Sequence, residues 1–147
     1  MPQFLRTGTP MGDWRSFKHT IDVSETWTNG ELYLINETVC VLFMGDVIYD
    51  PTTGCPISPQ ALGFGDEGVF IYHAEKILVD KENGSGLSAF NPGDAVYWSG
   101  TNGDPVVSTW SSGFYWIGIC VQAAGQLVTQ VMIDFKGDKA TQGVMPT

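Results

Sequence analysis

The sequence has little that would cross a membrane, cross-link a chain or hold a metal. No stretch approaches the roughly 18 uncharged apolar residues that a spanning helix needs. The first 18 residues, MPQFLRTGTPMGDWRSFK, lack an apolar segment of signal-peptide length, so the expectation is a chain that folds in a cytoplasm. Cys40, Cys55 and Cys120 are an odd number in no metal-ligand spacing, which argues against a disulfide framework and against zinc. Cys40 and Cys120 lie inside apolar runs and read as small core residues. Basic residues are scarce as well, with 7 Lys and Arg against 16 Asp and Glu, a formal net charge of -9. Such a chain repels phosphates, and no clustered Lys/Arg face with interleaved aromatics offsets this, so nucleic acid is not an expected partner.

The residues that usually carry catalysis are equally thin. His19 and His73 are the only histidines and fit no HExxH or HxH spacing, and neither a GxSxG elbow nor a Cys-His signature occurs. GFGDEG at 63–68 lacks the GK[ST] ending and the following helix of a phosphate loop, so it reads as a turn. The acidic loop DKENGSG lacks the alternating oxygen ligands and terminal Glu of a calcium loop. Asp46 and Asp94 would be the carboxylate pair of a small hydrolase, but both occupy a Gly-Asp turn, where Asp has a structural reason to be. The expectation is no enzyme and no cofactor. The sequon at Asn36 carries little weight without secretion.

What is present is β-sequence. The chain of 147 residues is 43% apolar with 18 Gly and 8 Pro, too apolar for disorder and too rich in breakers for a helical bundle. HTIDVSETW at 19–27 alternates as a half-buried strand does, and Asn29-Gly30 supplies a tight hairpin signal after it. ELYLINETVCVLFM at 31–44 reads as two strands or one interrupted strand. Strands also fall at VFIYHAEKILVD (69–80), AVYW (95–98), FYWIGICV (114–121) and LVTQVMIDF (127–135), with SGTNGD as a hairpin turn before PVVSTW. The total is eight to ten short strands, an all-β pattern that argues for a small barrel or sandwich. A unit of Gly-Asp-apolar-apolar-Tyr followed by a turn and Pro-apolar-Ser occurs twice, at Gly45, Asp46, Tyr49, Pro56, Ser58 and at Gly93, Asp94, Tyr97, Pro105, Ser108. Two copies are too few for a solenoid and read as two similar hairpins.

Charge divides the chain unevenly. Residues 1–18 hold Arg6, Arg15 and Lys18 against Asp13, whereas the remainder holds 4 bases against 15 acids. The basic segment carries Phe4, Leu5, Trp14 and Phe17 with no helical period and no strand alternation, so it reads as an extended N-terminal arm that needs another surface to cover its apolar side chains. Phe4, Leu5, Arg6, Trp14, Arg15 and Phe17 are its candidate contacts, either folded back on the barrel or crossing to a neighbouring subunit. The organisation expected is an arm over 1–18, a β-barrel domain over 19–135 and a flexible tail over 136–147. Trp98, Trp110, Trp116 and Tyr115 are candidates to stack on sugar rings, which keeps a carbohydrate- or receptor-binding module open as an alternative.

Between about Gly68 and Phe135 the chain runs through GDAVYW, a variable turn, PVV, then WIGICVQAAG and the closing strand VTQVMIDF. In these motifs it resembles a family of tailed-bacteriophage capsid decoration, or cement, proteins. The matching positions are Gly93, Asp94, Val96, Tyr97, Trp98, Ile117, Gly118, Ala123, Val131 and Ile133, and the likeness assigns them to the barrel framework. GDVIYD departs by placing Asp50 where the second copy has Trp98. The resemblance implies a small β-barrel of β-tulip or SH3-like type, no cofactor, and a homotrimer on the outer surface of the virion. There it would bind the major capsid protein and clamp adjacent subunits.

Overall fold

The computed structural model describes residues 11–43, 50–54, 61–84 and 87–143. In chain order its strands are β1 (Met11–Thr20), β2 (Trp27–Thr28), β3 (Leu32–Ile35), β4 (Thr38–Phe43) and β5 (Ala61–Leu62). They continue with β6 (Glu67–Asp80), β7 (Ala95–Trp98), β8 (Tyr115–Cys120), β9 (Gln130–Lys136) and β10 (Thr141–Gln142), with one 3-10 turn over Gly137–Lys139. The fold is all-β. Among the described residues no helix is long and apolar enough to cross a membrane.

Eight strands form one curled antiparallel sheet in the order β10-β8-β9-β6-β4-β3, with β1 added to β6 and β7 to β8. β6 is the spine. One side of it pairs with β1, and the other pairs with β4 near Phe70 and then with β9 from His73 to Asp80. Register irregularities beside Tyr72 and between Ala74 and Ile77 let this 14-residue strand bend, which curls the sheet into a half-barrel.

The curl creates two cores on opposite faces of the same strands. Along β4, Val39 and Val41 point into the larger core with Ile71, Ile77, Trp98, Ile117 and Phe135, while Cys40 and Leu42 point into a second with Ile21, Trp27, Tyr33 and Phe70. β2 and β5 pair as a separate two-stranded ribbon, and β2 supplies Trp27 to that second core. A strand buried on both faces has no polar side, so TVCVLF reads as a continuous apolar run rather than an alternation. Burial drives the Cys40 thiol well above its ordinary range and also raises that of Cys120, so both are packing residues.

Several local expectations differ from the structure. HTIDVSETW, read as one strand, is split, with His19 and Thr20 ending β1, residues 21–26 outside any strand and Trp27 beginning β2, and PVVSTW makes only isolated bridges at Val106 and Val107. Residues 11–18, read as part of the arm, belong to a ten-residue strand, Met11–Thr20, on β6. It hid because an extra residue at Gly12–Asp13 bulges it, and because only Phe17 and His19 are half-buried while its other described side chains are exposed, so little forces an apolar alternation. The segment after Phe135, read as flexible tail, continues β9 by one residue, makes the 3-10 turn and pairs with β8 through Thr141 and Gln142. Its partner lies some 25 residues earlier and leaves no local trace. Asn29-Gly30 turns the chain, but β2 pairs with β5 rather than with β3. The two-residue hairpin is Asn36–Glu37, both at positive φ (49° and 68°) as a type I′ turn requires.

Candidate functional site

The motif GDAVYW makes the turn into β7 and pairs that strand with β8. Gly93 takes a positive φ of 94°, and the Asp94 carboxylate accepts the Asn91 N–H at 2.8 Å. The turn is then joined to the end of β8 by Gly93 N–H to Cys120 O and Cys120 N–H to Asp94 O, both 2.8 Å. Asp94 is thus occupied in shaping a turn, and Asp46 lies outside the described residues. GFGDEG behaves alike, with the Asp66 carboxylate accepting the Gly63 N–H.

Val96, Trp98, Ile117, Val131 and Ile133 all enter the larger core, and Tyr97 is buried beside them. Gly118 is required by close approach: a Cβ there would stand 2.1 Å from the Asp134 carbonyl oxygen. Ala123 is exposed, and the neighbouring Ala124 fills the core role through its bridge to Phe90. The strand ends at Cys120, so the alternation that would have placed Ala123 is lost.

Of the proposed sugar-stacking aromatics, Trp98 is 0% exposed with its Nε1–H donated to Asp104 O, and Trp116 is 7% exposed. Tyr115 is half-buried against Trp98. Trp110 alone of the four counts as exposed, at 37%, and its Nε1–H goes to Phe114 O.

Of the arm candidates, Phe4, Leu5 and Arg6 lie outside the described residues. Trp14, Arg15 and Phe17 stand together on β1. Trp14 is 39% exposed and meets Phe43 edge-on; Phe17 meets Phe70 and Tyr72 edge-on. Arg15 pairs with Asp13 at 3.6 Å in solvent. Of the two histidines, His19 stacks on Trp27, and His73 Nδ1 lies 3.9 Å from Asp138. Among the described residues no cluster of three or more His, Cys, Asp or Glu could hold a metal ion.

The sequence reading missed a cleft of about 550 Å³ where the SGTNGD turn meets β3. Its wall is a stacked pair, Trp27 on Tyr33 with ring centres 4.4 Å apart. Glu25 accepts from Trp27 Nε1–H (2.8 Å) and Asn102 Nδ2–H (3.3 Å), while the Tyr33 hydroxyl accepts the Thr28 N–H and faces Glu31 at 3.2 Å. Burial raises the Glu31 carboxyl above its ordinary value, helped by the nearby charges of Asp80 and Asp104, and the Tyr33 hydroxyl also rises through burial. The cleft therefore offers fixed hydrogen-bond acceptors. Glu25 and Asn102 lie 77 residues apart, so no motif could have announced it.

A second missed feature is Lys81, 2% exposed. Its ammonium donates to three backbone carbonyls, Glu82 O (2.8 Å), Val128 O (3.0 Å) and Gln126 O (3.4 Å), and burial lowers its pKa. It ties the 82–84 loop to the 126–128 turn, whose Leu127 is 72% exposed.

No family model matches the chain, and no curated protein matches its sequence.

Proposed function

We propose that the protein is a capsid decoration protein of a tailed bacteriophage, a small β-barrel of that family that binds the outside of the mature head and bridges major capsid subunits as a homotrimer. The observation that carries this reading is the placement of β1. A basic, aromatic strand lies largely in solvent, with Phe17 packed on the second core, while the GDAVYW–WIGIC framework fills the larger core. That division suits a protein whose task is adhesion: a stiff body, and a strand that presents the chain before it to a large surface. Phe4, Leu5 and Arg6, which precede β1, are the shell contacts in this reading, and their effect multiplies over many copies.

The test is co-sedimentation with mature, decoration-free heads. The full chain should sediment with the heads, and a form lacking residues 1–10 should bind at least about tenfold more weakly. A full chain that stays in the supernatant, or a truncated form that binds equally, refutes the proposal. The truncation stops before β1 because Phe17 covers Phe70 and Tyr72, so deeper deletion would also uncover the second core.

A second reading, a carbohydrate-binding module on the virion surface, is favoured by one observation only, the polar cleft at Glu25, Trp27 and Asn102. A panel of neutral glycans titrated against tryptophan fluorescence tests it, and a flat response removes it.

A further inference from the structure

We infer that the cleft between the SGTNGD turn and β3 binds an organic ammonium ion, a primary amine carried on a small aliphatic or sugar body. The inference stands on the cleft itself and goes beyond the virion reading. Two carboxylates, Glu25 and Glu31, line its 550 Å³. Each is fastened to the polar edge of one ring of the stacked pair: Trp27 Nε1–H donates to Glu25 Oε1 at 2.8 Å, and the Tyr33 hydroxyl donates to Glu31 Oε1 at 3.2 Å. Asn102 braces the other wall, with Nδ2–H on Glu25 at 3.3 Å and Oδ1 accepting the Leu34 N–H at 3.0 Å. The stack and the turn thus hold both carboxylates at one cavity.

Nothing described supplies these carboxylates with a counterion. Among the described residues that line the cleft none is Lys, Arg or His. The ion pairs among the described residues, Arg15–Asp13, His73–Asp138 and Lys136–Asp134, involve neither Glu25 nor Glu31. Lys81 shares a neighbouring hollow with Glu31, but its ammonium is spent on three backbone carbonyls. Burial, with the charges of Asp80 and Asp104 added, raises the Glu31 carboxyl, which is how a carboxylate without compensation behaves. A ligand that brings positive charge recovers that cost.

The remaining chemistry of the cleft selects an ammonium. Trp27 and Asn102 both direct an N–H at Glu25, and the Leu34 and Gly103 N–H groups go to Asn102 Oδ1 and Leu32 O. The cleft therefore presents carboxylate oxygens and the Thr26 and Thr101 hydroxyls, an acceptor-rich set that matches a group with three donors and no acceptor. A neutral sugar would want a ring face to stack on, but Trp27 and Tyr33 are both buried, so the pair is a wall and not a platform. A bare metal ion fits poorly: among the described residues no group of three or more His, Cys, Asp or Glu could hold one, and the volume is that of a site for a small organic molecule.

The test is titration calorimetry of the full chain at one ionic strength with spermidine and with glucosamine, each against a neutral counterpart, 1,5-pentanediol and N-acetylglucosamine. At least one amine should bind and its counterpart should not. Glu25→Gln/Glu31→Gln keeps an oxygen acceptor for Trp27 and for Tyr33 and should weaken the amine by at least about tenfold, the loss of its charged acceptors. Glu67→Gln/Glu75→Gln makes the same charge change at exposed positions of β6 outside the cleft and should leave the affinity unchanged. Binding of spermidine alone assigns an aliphatic amine and counts against the carbohydrate reading; binding of glucosamine alone assigns an amino sugar. No binding of either amine, equal binding of a neutral counterpart, equal loss in the two double variants, or displacement by equimolar calcium overturns the inference. Each of those results leaves the decoration reading intact, and failure to sediment with heads leaves the amine site intact.

Discussion

Lys81→Met removes a buried ammonium while keeping most of its aliphatic stem. The Glu82 and Val128 carbonyls, at 2.8 and 3.0 Å, lose their charged donor; Gln126 O keeps the Gly84 N–H at 2.9 Å. Two orphaned acceptors cost about 1 to 3 kcal/mol each, and the desolvation that the ammonium no longer suffers returns part of this. The net expectation is a loss of about 2 to 3 kcal/mol, or about 5 to 10 °C in Tm for a chain of this size. Thermal and urea melts measure it.

The pH dependence supplies a second reading of the same residue. Burial lowers the Lys81 pKa from 10.5, so between the folded and unfolded values the unfolded chain binds more protons, and stability rises with pH there. Tyr33, Cys40 and Cys120 shift upward and act in the opposite sense, with stability falling as pH climbs past their unfolded values. Those groups are common to both proteins and cancel in the difference. The gap between wild type and Lys81→Met should therefore widen as pH rises toward 10.5. A variant as stable as wild type, or a gap that narrows, would refute the assignment of Lys81 as the tie between the two loops.

Two further contrasts test the packing. Trp98→Phe leaves a cavity and orphans Asp104 O, and should cost about 2 to 4 kcal/mol in urea melts. Trp116→Phe removes an Nε1–H that is buried without an acceptor among the described residues, and should cost less than 1 kcal/mol. Gly137→Ala would push a Cβ to 1.7 Å from Val39 O and should destabilise by about 1 to 3 kcal/mol or more, whereas Gly125→Ala, with open space around it, should be neutral or slightly stabilising.

Sequence alone determined the all-β class, the strands β6 to β9 to within a few residues, and the Gly93-Asp94 turn. These rest on local causes: β-branched and aromatic runs, positive φ at glycine, and a carboxylate reaching its own backbone. Tertiary structure alone decided the rest. Whether Cys40 and Val41 face one core or two depends on a ribbon folded over the back of β4, and TVCVLF reads the same either way. β1 exists because β6 offers it an edge, and β10 because β8 does, so neither bears the periodicity that burial imposes. The Glu25–Asn102 cleft and the Lys81 tie join residues 45 to 77 positions apart, and contacts between segments so distant are set by the closing of the sheet.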